Sequence, residues 1–352
     1  MHRRNWMHAG LAGGLGLAAR AALPPLTLVA AGCAAPRTGT VFGGATMGTR
    51  YLVKLAAGLG GSEQLRVEAL VRAALSEIDE AMSTYRPASE LSRLNASEGG
   101  QWLPVSAATH DVLRQALLVW QRSGGAFDIS VGPLVELWGF GARGARTQAP
   151  AHEDIERIRA QIGLAGLSLA PDAMAVRKAH AHTRLDLGGI AKGYALDRVA
   201  QRLDEQGFDA YLVEVGGELR ARGARADGAP WRIGIEKPIG TRHAVQRVVE
   251  PGARAIASSG DYRNFFEHDG VRFSHTIDPR TGWPVRHDLA AVSVIADDAM
   301  SADALATAIL VKGAEAGLEF AARNAVAAHL MVRSADGLRE LISPAMQPHI
   351  VA

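Results

Sequence analysis

Residues 185–197 read LDLGGIAKGYALD, an acidic residue and a glycine pair directly ahead of a helical run. Glycines let a ligand approach the main chain closely. A helix start adds free N–H groups and a positive dipole end, which together suit a phosphate. Lys192 falls in the first helical turn, where a cation opposes the dipole unless it faces an anion. The plainer reading is a glycine-rich strand-to-helix turn with a solvated lysine, since short glycine motifs are weak signals. A second stretch, 297–307 (DDAMSADALAT), puts Asp303 and Thr307 four residues apart, on one face of a helix. A carboxylate and a hydroxyl are hard oxygen donors that suit Mg²⁺, which takes few protein ligands and keeps water or phosphate in the other positions. The neighbours Ala302, Ala304, Leu305 and Ala306 are apolar, so a carboxylate there is costly unless paired or liganded. Its plainer role is a buried hydrogen-bonded side chain, and Asp297 and Asp298 suit helix capping.

A third stretch, 274–282 (SHTIDPRTG), is turn chemistry in its last five residues. His275 just before it is the best general-base candidate among the 12 histidines, because imidazole titrates near neutral pH. His287 is a weaker rival, and the turn by itself needs no catalysis. Residues 83–95 (STYRPASELSRLN) hold Tyr85, which could stack on a flat heterocycle. They read equally as a capped turn leading into a short helix. Residues 126–141 (AFDISVGPLVELWGFG) are rich in aromatics that core packing alone would explain.

Elements must position these groups. Helical apolar spacing predicts helices over 62–82, 106–123 (ended by Gly124-Gly125), 152–162 and 300–324, and one opening at Gly188-Gly189 and closing at Gly207. Strands are expected over 49–55, 211–215, 231–236, 253–258 and 289–296. Strands and helices mix without strict alternation, and no composition break divides the chain. The pattern predicts one α+β unit with two lobes around a cleft.

The chain has 352 residues, 48% of them hydrophobic and 21% charged, with a formal net charge of +2. No dense basic run supports a nucleic-acid partner. The single cysteine, Cys33, excludes an internal disulfide and a Cys-based metal site. Residues 1–33 read as an export signal: His2-Arg3-Arg4 supplies charge, and a small apolar run ends in Ala-Ala-Gly-Cys. That end is similar to a bacterial lipoprotein signal with Cys33 as the lipidated residue, although Ala30 stands where a larger residue is usual. Arg3-Arg4 also permits a twin-arginine route. Pro24-Pro25 argues against a membrane span. Residues 34–43 read as a tether, 44–340 as the catalytic domain and 341–352 as a tail.

The joint order of the motifs is more specific than any one of them. Met47-Gly48-Thr49, segment 83–95, FDISVGPLVELWGFG, LDLGGIAKGYALD, residues 213–218 (VEVGGE), residues 257–262 (ASSGDY), SHTIDPRTG and ADALAT together resemble the ApbE family, the FAD:protein FMN transferases long described as thiamine-biosynthesis lipoproteins. The resemblance covers roughly residues 41–335. It implies an ApbE-like α+β fold related to the T-fold, with mixed sheets and helices around a flavin cleft. It also implies Mg²⁺-dependent transfer of FMN from FAD to a Thr or Ser hydroxyl of a target protein, with release of AMP. Carried over by motif, the flavin contacts fall on Met47, Tyr85, Ala126, Phe127, Asp128, Asp186, Lys192 and His275. The metal ligands fall on Asp303, Thr307 and the backbone carbonyl of Gly189, and the catalytic base on His275. Ser130 and Ser258 stand where Thr is more usual, which keeps the hydroxyl, and Trp283 follows the Thr-Gly turn. The family implies acceptors among membrane redox subunits, such as those of sodium-pumping quinone reductases or Rnf-type complexes, and FMN-binding domains, on the periplasmic side of the membrane. A Mg²⁺-dependent FAD pyrophosphatase could use the same residues, and a periplasmic FAD-binding lipoprotein without catalysis is the non-enzymatic alternative.

Overall fold

The structure, a computed structural model, describes residues 39–142, 144–238, 244–262 and 264–351. The signal-like segment, Cys33 and residues 34–38 of the expected tether lie outside them. The tether's last residues are strand instead. Thr40–Thr46 (β1) pairs antiparallel with Thr49–Leu55 (β2) through a two-residue turn. Met47 and Gly48 in that turn have φ of 45° and 70°, the left-handed pair that a hairpin of this length requires. The glycines around Val41 and Phe42 hid this strand, whose partner supplies what its propensity lacks.

Five helices follow in sequence. Gly61–Met82 (α1) buries Val67, Val71, Ala74, Leu75 and Ile78 at helical spacing. Glu90–Ala96 (α2) is capped by Ser89, which accepts from the Ser92 N–H at 2.9 Å. A small antiparallel sheet contains Leu103–Pro104 (β3), Leu167–Leu169 (β4) and Ala175–Lys178 (β5). Ala107–Ser123 (α3) is capped by Ser106 and ends on a left-handed Gly124. Gly132–Leu137 (α4) and the short His152–Arg159 (α5) complete this region.

Ala191–Glu205 (α6) runs into the hairpin Tyr211–Val215 (β6) and Glu218–Arg222 (β7). Ile233–Glu236 (β8) pairs with Val245–Val249 (β9). Ala255–Gly260 (β10) precedes a second hairpin, Phe265–His268 (β11) with Val271–Ser274 (β12). Leu289–Ala296 (β13) leads into Ala299–Lys312 (α7) and Ala314–Arg323 (α8). The single helix expected over 300–324 is therefore two, broken at Gly313 with φ 81°. There the His287 ring would meet an added Cβ at 2.9 Å. Ala327–Ser334 (β14) and Gly337–Ile342 (β15) close the chain's strands. Within the expected tail over 341–352, a 3₁₀ turn over Pro344–His349 buries Met346 completely. Among the described residues no helix is long and apolar enough to cross a membrane.

Eight strands make one antiparallel sheet in the order β1-β2-β6-β7-β10-β13-β14-β15. Alternation decides what each face covers. Tyr211, Val213 and Val215 of β6 enter the main core with α1, α6 and α7, while Leu212 joins Ile233, Ile235 and Val249 of the β8–β9 hairpin on the opposite face. In β13 the inward set shifts from Leu289 to Val292 and Val294, across a register irregularity between Leu289 and Ala291. A separate aromatic core gathers Trp138, Phe266, Phe273, Ile277 and Trp283 around α4, α5 and β11–β12. The two cores give the α+β fold its two sides.

α7 is buried nearly all round, as a helix without a polar face must be. α6 crosses it at Gly193, where an added Cβ would lie 2.6 Å from the Ala299 carbonyl carbon and 2.8 Å from Met300 Cα. Both atoms are backbone, so neither can swing aside. Gly193→Ala should therefore cost about 1–3 kcal/mol as an overpacked contact. Thermal or urea unfolding checks this, and an unchanged unfolding midpoint would refute the close approach.

Candidate active site

A cleft of about 1380 Å³ opens between the large sheet and the aromatic core. All eleven residues expected at the site line it, although they come from six separate stretches of chain. Met47 reaches it from the strained tip of the β1–β2 hairpin, and a non-glycine residue held at positive φ is the kind of strain that collects at binding sites. Tyr85 leaves its ring 67% exposed, as a stacking surface requires before a ligand covers it. Burial, then the nearby Asp186 and Glu136 charges, push its hydroxyl pKa up.

Ala126, Phe127 and Asp128 follow the Gly124-Gly125 end of α3 and are all buried. Asp128 accepts from Ser130 N–H at 2.7 Å and from its hydroxyl, capping the 3₁₀ turn over Ile129–Val131. Burial raises the Asp128 pKa against those bonds. Asp186 accepts from Gly188 N–H at 2.8 Å, while its own N–H donates to the Ile129 carbonyl. Its pKa is raised by burial foremost. The loop before it is held from below: Asn95 on α2 exchanges two hydrogen bonds with the Leu185 main chain, and the fully buried Lys178 ammonium binds the carbonyls of Asn95 and Thr183. Sequence reasoning did not single out Asn95 or Lys178, because their work is on distant main chain.

Lys192 differs from expectation. Its ammonium does not stand free for an anion; it donates to the Gly188 carbonyl at 3.0 Å and lies 3.3 Å from Glu218 Oε1 and 3.6 Å from Asp303 Oδ2. Burial would lower its pKa, but Asp303 and Glu218 outweigh that and raise it. Glu218 was passed over within the VEVGGE motif. It is 3% exposed, and burial first, with Asp303 adding and Lys192 opposing, pushes its pKa up to about 8. Two positive-φ glycines at the β6–β7 turn, Gly216 and Gly217 at 64° and 105°, aim it there.

Asp303 is buried, and its Oδ2 also accepts from Gly193 N–H at 3.2 Å. Thr307 Oγ1 lies 3.3 Å from Ser259 Oγ and packs against Gly189, where an added Cβ would stand 3.1 Å away. Among the described residues no cluster of three or more His, Cys, Asp or Glu is set for a metal. The oxygens at Asp303, Thr307 and Gly189 are instead one carboxylate, one hydroxyl and a carbonyl, which fits a small hard cation that keeps water or phosphate as further ligands. The unpartnered buried Oε2 of Glu218 nearby agrees with a site that expects added positive charge. Of the two expected caps, Asp298 does cap α7, accepting from Ser301 N–H at 2.7 Å, whereas Asp297 is exposed and pairs with Arg254. The second cap is Asp197, the last residue of LDLGGIAKGYALD: its carboxylate accepts from Ala299 and Met300 N–H at 3.0 and 2.9 Å and pairs with Arg220.

His275 stands at the cleft wall, its ring open to cleft solvent but walled by chain. Both its N–H and Nδ1 meet the Asn264 carbonyl, at 3.0 and 3.1 Å. A carbonyl beside Nδ1 assigns the proton there and leaves Nε2 with the lone pair. Its burial lowers the pKa, the Asn264 bond opposes, and the Lys192 charge lowers it further. His287 does not line the cleft.

These features define a class: an α+β enzyme scaffold with a nucleotide-sized cleft in which a helix start, a group of hard oxygen donors and a neutral imidazole converge. The model described as "ApbE family" matches residues 47–330, and the chain belongs to the ApbE family. It is 40% identical over 323 residues to an FAD:protein FMN transferase of Vibrio cholerae, covering 92% of this chain and 96% of that one. It is 36% identical over 315 residues to the Escherichia coli K12 protein of the same name, covering 89% and 90%. The fold superposes on the flavin transferase ApbE of Vibrio cholerae with a TM-score of 0.81 at 39% identity, covering 89% of this chain and 100% of that one. The apo flavinyl transferase ApbE of Pseudomonas stutzeri gives 0.81 at 40% identity, covering 90% and 98%.

The lowered His275 pKa predicts a neutral ring at pH 7. Titration of its C2–H by NMR should give a midpoint below 6.5. Lys192→Gln should raise that midpoint, because a cation that disfavours imidazolium is gone. A midpoint above 6.5 would contradict the environment described.

Proposed function

We infer that this chain transfers the FMN moiety of FAD to a Thr or Ser hydroxyl of a target protein and releases AMP. The observation that carries this reading is the convergence of the eleven residues on one cleft, in a chain 40% identical to an FAD:protein FMN transferase over nearly all of its length.

A hydroxyl needs a base at neutral pH. His275 Nε2 takes the acceptor proton as the acceptor oxygen attacks the FMN-side phosphorus. The bond from that phosphorus to the bridging oxygen breaks, and AMP leaves with the bridging oxygen. Asn264 holds the ring in the tautomer that can accept. Tyr85 stacks on the flavin or adenine face. Asp186, fixed by Gly188 N–H, orients a ribose or base edge. Asp303, Thr307 and the Gly189 carbonyl would hold Mg²⁺, which would supply charge neutralisation for the diphosphate and the departing phosphate. The start of α6 adds positive potential, and Lys192 offsets the Glu218 and Asp303 charges beside it. Residues 1–33 export the chain, Cys33 carries the lipid, and the acceptors are redox subunits or FMN-binding domains on the periplasmic side. Residues 44–340 are the catalytic domain, and Pro344–His349 adds a 3₁₀ turn after it.

Incubation of the mature chain with FAD, Mg²⁺ and an acceptor domain should add the mass of FMN to one Thr or Ser, read by peptide mass spectrometry. His275→Ala should slow this by about 10²–10⁴-fold, the range for a positioned general base. Free FMN and AMP appearing at the full rate without acceptor would instead favour the pyrophosphatase.

A further inference from the structure

Lys192 and the expected cation site compete for one carboxylate. Asp303 Oδ2 is 3.6 Å from the Lys192 ammonium and is also the oxygen that accepts from Gly193 N–H. A divalent cation arriving at Asp303 meets a resident monovalent one, and like charges in a partly dry cleft repel strongly. The lysine must then lean on another anion. Glu218 is within reach: its Oε1 already lies 3.3 Å from the ammonium. Its Oε2 is buried with no hydrogen-bond partner among the described residues. The Gly216–Gly217 turn fixes the backbone from which it projects, and an added Cβ on Gly216 would lie 3.3 Å from Oε2 and 3.4 Å from Lys192 Cδ. Both side chains are thus confined to one small space.

We propose that Glu218 is a positioning residue for cation binding: its carboxylate takes over the Lys192 ammonium when a divalent cation occupies Asp303. The open Oε2 then gains its missing donor, and the lysine stays charged inside the cleft rather than being expelled. Without the Glu218 charge, Lys192 remains on Asp303 and opposes the cation. Glu218 therefore acts through Lys192. This rests on the reading that the cation binds at Asp303.

The test is Mn²⁺ affinity of the FAD-free mature chain at a pH above the raised Glu218 value of about 8, where that carboxyl is ionised, read from the free Mn²⁺ signal in electron paramagnetic resonance. Lys192→Gln should tighten binding and Glu218→Gln weaken it, each by about fivefold or more, the lower range for coupled sites. Glu218→Asp should recover part of the loss. The decisive arm is the double variant: in the Lys192→Gln background, Glu218→Gln should have little effect, because no lysine is left to hold. Equal weakening in both backgrounds would overturn the proposal, since Glu218 would then attract the cation directly. No change in either single variant would also overturn it. Asp303→Asn separates the two readings. If it abolishes binding while Glu218→Gln changes nothing, only the present inference falls. If binding survives Asp303→Asn, the cation site itself is misassigned and the inference falls with it.

Discussion

The contact between α6 and α7 carries the site. Gly193 lets the two backbones meet, and the Asp197 carboxylate fastens them by capping the start of α7. A capping carboxylate satisfies N–H groups that a helix start leaves open and complements its dipole. With α7 pinned there, Asp303 one turn further on comes to the first turn of α6. Its distance from Lys192 follows from that one crossing.

β7 reinforces the same arrangement from the sheet. Two side chains on one of its faces, Glu218 and Arg220, reach Lys192 and Asp197 on α6. Each of those α6 residues also binds α7, through Asp303 and through the helix start. Strand, first helix and second helix are tied twice by charges of alternating sign. Breaking one partner of such a set leaves another charge without compensation, which costs more than the pair contributes. The functional charges at one end and the structural ones at the other are therefore a single electrostatic unit.

Much of this was legible in the sequence where the signal is local. α3 ends at Gly124 and β2, β6 and β13 span the expected residues, because caps and alternation are written in neighbouring positions. Strands such as β7 (ELRAR) and β15 (GLRELI) were not legible: their composition is polar, and partner strands decide their state. Gly313 splits α7 from α8 within an Ala- and Leu-rich run that reads as one helix. At the cleft, eleven of the lining residues could be named from spacing and resemblance. Glu218, Asn95, Lys178 and Asp197 could not be placed, because each acts on a partner far away in sequence. Lys192 shows the same limit. Its helical position was readable, but the two carboxylates it faces come from β7 and α7.

The β8–β9 hairpin borders the cleft yet pairs with none of the eight strands of the large sheet. Its attachments include an apolar face, the Val249–Ile350 bridge with the Val351 N–H bonded to the Val248 carbonyl at 3.0 Å, and the Glu340 carboxylate that gathers Gln246, Arg247 and His329. A ladder transmits any change in length to every neighbouring strand, but none of these moorings joins the ladder of the large sheet. Insertions or deletions in this hairpin leave the register of the large sheet untouched, so this border of the cleft can change shape while the α6–α7 crossing stays fixed.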